Sequence, residues 1–60
     1  MKMPKAGELW YSTSLYQNMQ VTYIGMEYNG IIIRAKWHDF TWEGSFHDFL
    51  GEFKELANEQ

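Results

Sequence analysis

The pair Asn29-Gly30 lies between two runs rich in β-branched and aromatic residues, Val21–Tyr28 and Ile31–Trp37. Both residue types tolerate the positive φ that the central positions of a type I′ hairpin turn require. A turn there sets Tyr28 opposite Ile31, and the register follows by arithmetic. Met26 then faces Ile33, Ile24 faces Ala35 and Thr22 faces Trp37, all on one face of the ribbon. The opposite face carries Tyr23, Gly25 and Glu27 beside Ile32, Arg34 and Lys36. Turn chemistry and face polarity therefore agree on an antiparallel pair with one apolar side. Val21 falls on the polar side, and a bulge near Gly25 would return it inward.

Around this pair, "ELWYST" alternates Trp10 with Ser12 at strand spacing, and Ser14–Asn18 suits a loop. His38-Asp39 is expected at the tip of a second tight turn, with Phe40-Thr41-Trp42 as the next strand and Gly44 at its end. From Phe46 the period changes. Phe46, Phe49, Leu50, Phe53, Leu56 and Ala57 recur at three and four, the spacing of one helix stripe. Ser45 is placed to cap that helix, and Gly51 is a point where it bends or stops. The fold class expected is mainly β (α+β): a curled antiparallel sheet of three to five strands, SH3-like or Tudor-like, with a C-terminal helix. The chain is read as one domain over residues 1–60, its first six residues loose.

Size limits what such a chain does. Sixty residues bury a small core, and there are no cysteines to reinforce it. Three Trp, four Tyr and four Phe supply the apolar mass instead. Trp37, Trp42, Tyr11 and Tyr16 exceed what one small core holds, which is compatible with a homodimer and also with aromatics scattered on the surface, the commoner case. No segment reads as a signal peptide or a membrane span, so the expectation is a cytoplasmic protein with no membrane partner. The formal charge of −3 argues against general nucleic-acid binding.

The tripeptide His-Asp-Phe occurs twice, at 38–40 and 47–49. A metal or proton-transfer site would need His38, Asp39, His47 and Asp48 to converge, with Glu43 as a further ligand. The alternative puts the first pair at a hairpin tip and the second in the first turn of a helix, where Asp48 complements the helix dipole. The second reading is preferred, with no metal and no cofactor. There is no cysteine and no serine in an elbow motif, so no catalytic residue is assigned and enzyme activity is not expected.

Two binding surfaces remain. Asp48, Glu52, Glu55 and Glu59 are spaced by four, three and four, so a continuous helix presents them as one acidic stripe to a basic protein. The same spacing also describes a solvated helix face. The alternative is a single-stranded nucleic-acid surface made by Tyr23, Arg34, Lys36 and His38, a ring for stacking and cations for phosphate. Glu27 lies in the same patch and offers Arg34 an ordinary cross-strand partner.

The opening Pro4-x-x-Gly7-Glu8-x-Trp10 and the close Phe49-Leu50-Gly51-Glu52-Phe53 resemble small phage and prophage accessory proteins. That group has a P-x-x-G-E-x-W opening and an F-L-x-x-F close. The resemblance implies an SH3-like or Tudor-like barrel in which the tryptophan strand pairs near the C-terminal segment and a short helix precedes the last strand. It implies a phage-encoded module acting on a host protein in the host cytoplasm, with no catalytic residue to carry over. The chain departs from the pattern after Phe53. There "KELANEQ" favours helix, where similar chains continue as a Pro-containing strand.

Overall fold

The structure is a computed structural model that describes residues 3–28 and 30–56. Two strands dominate it, β2 (Gln17–Glu27) and β3 (Gly30–Trp37), the ribbon expected from the pattern of the sequence. Their register differs from the expected one by two residues. Glu27 pairs with Gly30, Met26 with Ile31 and Ile24 with Ile33, because the loop is centred one position earlier. A shift of two preserves the side-chain alternation, so Ile24, Met26, Ile31, Ile33 and Ala35 still share the inner face. The conformation expected at Asn29 lies outside the described residues.

The bulge is at Thr22, not near Gly25. Val21 pairs with Ala35 and Tyr23 with Arg34, so Thr22 is the extra residue and is exposed. This returns Val21 to the core, where it is 1% exposed. Gly25 has a different task. The Tyr23 ring lies across it, and any Cβ there would collide with the phenol.

Strand β1 (Leu9–Ser12) pairs with β2, and β4 (Phe40–Ser45) pairs with β3 through the two-residue His38–Asp39 loop. His38 takes φ +53° at this tip. Ser45 then caps a short helix, α1 (Phe46–Glu52), its Oγ accepting from the Asp48 N–H at 3.1 Å. The helix does not run on to Ala57 as its periodicity suggested. It stops at Glu52, and β5 (Phe53–Glu55) pairs antiparallel with β1. Phe53 satisfies both patterns, a helix stripe and an inward strand position, so spacing alone does not separate them. Gly51 weakens the helix, and the Glu52 carbonyl accepts from the Thr13 N–H and hydroxyl, holding the helix end on the β1–β2 turn.

The result is a five-stranded antiparallel sheet in the order β4-β3-β2-β1-β5, with α1 packed on its inner face. Trp10, Met19, Val21, Ile33, Ala35, Phe49 and Phe53 form the core. Phe49 brings the helix into it, stacking on Phe53 with centroids 4.4 Å apart and meeting Trp10 edge-on at 5.0 Å. A seven-residue helix is not stable alone, so this packing is what holds α1 in place.

Candidate functional site

The two sequence motifs at the ends of the chain have structural roles. Pro4 is buried, and the turn that follows brings Gly7 N–H to the Val21 carbonyl at 2.7 Å. Gly7 has φ +97°, a conformation that other residues adopt only with strain. Glu8 Oε1 accepts from the Lys5 N–H at 3.0 Å and from the Trp10 indole N–H at 3.1 Å. The buried tryptophan thus enters the core with its one donor satisfied.

Glu52 ties the other motif to the β1–β2 turn. Its Oε2 accepts from the buried Ser12 hydroxyl at 3.1 Å, from the Ser14 N–H at 3.3 Å and from the Ser14 hydroxyl. The Ser14 hydroxyl is the main cause of a carboxyl pKa below the ordinary glutamate value, opposed by partial burial and aided by Ser12 and the Ser14 backbone. Its carboxylate is engaged within the fold, on the β1–β2 turn.

The expected acidic stripe is accordingly not a helix face. Asp48 is exposed in the first turn of α1, Glu52 faces the Ser12–Ser14 turn, Glu55 is exposed on β5, and Glu59 lies outside the described residues. A different set shares one stretch of sequence, though not one face of the fold. Residues 38–52 contain Asp39, Glu43, Asp48 and Glu52 and no Lys or Arg. Asp39 is at the hairpin tip, Glu43 on β4 and Asp48 on the helix, all three exposed. Spacing by helix period did not reveal this set. Its signal is the absence of cations.

The polar face of the sheet brings Tyr23 and Arg34 together, as a cross-strand pair with the guanidinium 5.0 Å from the ring centroid. Both are also bound to acids. Arg34 forms an ion pair with Glu43 at 3.2 Å, and the Tyr23 hydroxyl donates to Glu27 at 3.0 Å. That hydrogen bond, together with the Glu27 charge, raises the phenol pKa. The partner of Arg34 is Glu43 rather than the expected Glu27. Lys36 is exposed in the same strand, while His38 stands at the hairpin tip with its ring against Trp37 at 4.7 Å. Arg34 covers one face of the Tyr23 ring.

The two His-Asp pairs occupy separate places, His38-Asp39 at the β3–β4 tip and His47-Asp48 in the first turn of α1. Among the described residues no three His, Asp or Glu side chains are grouped to hold a metal ion. Of the four aromatics expected in excess, Trp42 and Tyr11 are half-buried, Trp37 is partly exposed and Tyr16 is exposed. Phe40, Met26 and Tyr28 are exposed as well. Among the described residues no helix is long and apolar enough to cross a membrane. No family model matches the chain, and no curated protein or solved structure matches it either.

Proposed function

We propose that this chain is a small non-catalytic module that acts by protein–protein interaction, with a basic surface of a host protein as its partner. The observation that carries the reading is the cation-free stretch 38–52. It contains exposed Asp39, Glu43 and Asp48; Asp39 stands at the hairpin tip between the partly exposed Trp37 and Phe40, and Glu43 is ion-paired with Arg34. Acids bordering exposed aromatics are suited to a basic, partly apolar partner, the charges steering the encounter and the rings supplying buried area. The meander of β1 to β4, with a short helix leading to a β5 that pairs with β1, supports an SH3-like architecture. It also accords with the phage and prophage proteins that the chain's two motifs resemble, and so with action in a host cytoplasm.

Single-stranded nucleic-acid binding by Tyr23, Arg34, Lys36 and His38 is the weaker reading. Arg34 is neutralised by Glu43 and covers one face of the Tyr23 ring, which leaves little charge for phosphate.

A tagged pull-down from bacterial lysate, with and without nuclease, separates the two readings. A stoichiometric protein retained after nuclease, and lost when Asp39, Glu43 and Asp48 are changed to Lys, is the expected result. Capture that disappears with nuclease refutes the protein-interaction reading.

A further inference from the structure

The sheet has two ends, and they are finished differently. β5 closes one end with three residues and carries Lys54, a short and charged edge of the kind that resists strand addition. β4, at the other end, has six residues in unbroken register with β3. It contains no proline, no lysine and no bulge. Next to a two-residue loop, the Trp37–Phe40 pair exchanges both backbone bonds, and the pattern alternates from there. Phe40, Trp42 and Gly44 therefore bond to β3, and the N–H and C=O groups of Thr41 and Glu43 point to the open side. Both residues are exposed, and among the described residues no strand lies beyond them.

We propose that the β4 edge accepts an extended basic segment of a partner protein as a sixth strand, a proposal that rests on the protein-interaction reading above. The inner side of the edge offers Phe40, 47% exposed, and half-buried Trp42; the outer side offers Thr41 and Glu43. A segment alternating apolar with Lys or Arg residues matches both sides at strand period. Asp39 and Asp48 flank the edge, and neither has an ion-pair partner among the described residues. The same charges disfavour a second copy. Antiparallel pairing of β4 with itself would align two cation-free strands, setting Glu43 and the flanking acids of both chains along one junction. Glu43 is shared with Arg34 at 3.2 Å, so the charges left to draw a basic strand and to repel a like one are chiefly those of Asp39 and Asp48.

The test uses the whole chain and a blocked peptide of about eight alternating lysine and valine residues, the length of an ordinary strand. Amide hydrogen exchange is followed by NMR. At saturation the Thr41 and Glu43 amides are expected to exchange at least about tenfold more slowly. Protection should vanish when the peptide is N-methylated at alternate positions. Thr41→Pro removes an outward donor without touching a β3 bond, and is expected to abolish binding while the circular dichroism stays native. If that variant misfolds, Glu43→Lys provides the second check, since it should reverse the preference towards a glutamate–valine peptide. No binding at millimolar peptide, or binding that leaves both amides unchanged, overturns the proposal. So does protection that rises with protein concentration alone, which would give the edge to a second copy. A lysate partner still captured by a folded Thr41→Pro variant sinks the edge proposal and leaves the interaction reading intact; a failed pull-down with peptide binding intact does the reverse.

Discussion

At the scale of single residues, two glutamates organise the turns on either side of β1. Glu8 and Glu52 each accept several hydrogen bonds, one organising the entry to β1 and the other holding the β1–β2 turn against the end of α1. Bonds to an ionised acceptor are stronger than neutral ones, which gives Glu52 a pH signature. Its folded pKa is lowered from the ordinary glutamate value of 4.5, first by the Ser14 hydroxyl. The stabilisation is therefore complete above that ordinary value, the one held in the unfolded chain, and is lost as pH falls through the lower folded one. Glu52→Gln keeps the shape and removes the charge. The expected cost is about 1 kcal/mol at pH 7, discounted for partial exposure. In urea titrations between pH 7 and 2, the difference between the two proteins should shrink to nearly zero at the acid end. A gap that stays constant with pH would show that the carboxylate charge contributes nothing.

Elements were legible where two local signals agreed and illegible where tertiary contacts decided. The β2–β3 ribbon, the His38–Asp39 tip and the Ser45 cap each combined turn or cap chemistry with a change of period. The register was set two residues away because Gly30 is itself paired, with Glu27, and so belongs to β3 rather than to the turn. Face polarity is blind to an even shift. The helix end was missed for a related reason, since Phe46, Phe49, Leu50 and Phe53 fit a stripe whichever way Phe53 is delivered to the core. What stops the helix is the demand of β1 for a partner and the bonds of Thr13 to Glu52, 39 positions away in the chain. The candidate site suffered directly, because the acidic stripe existed only on the longer helix. The serine cap supports α1 independently of that error. Ser45→Ala should cost about 1 kcal/mol, read as a fall in Tm of about 4–8 °C for a domain of this size. An unchanged Tm would mean that packing of Phe49 alone fixes the helix start.

For the whole molecule the governing fact is how few side chains carry the core. A domain this small has a net stability of only about 3–5 kcal/mol. Phe49 is fully buried and touches Trp10, Trp42 and Phe53, so it joins the helix, β1, β4 and β5 in one contact set. Truncating such a ring removes about 3–5 kcal/mol. The cost equals the total, so Phe49→Ala should be largely unfolded at 25 °C, with collapsed amide dispersion in its NMR spectrum. Leu9→Ala is the matching control, since Leu9 is half exposed on the outer face and its loss should stay within about 0.5 kcal/mol. A Phe49→Ala protein that keeps native dispersion would mean that stability comes from outside this core. The source would then be a partner strand or a second copy. In that case unfolding midpoints should rise with protein concentration or with added basic peptide, as mass action requires.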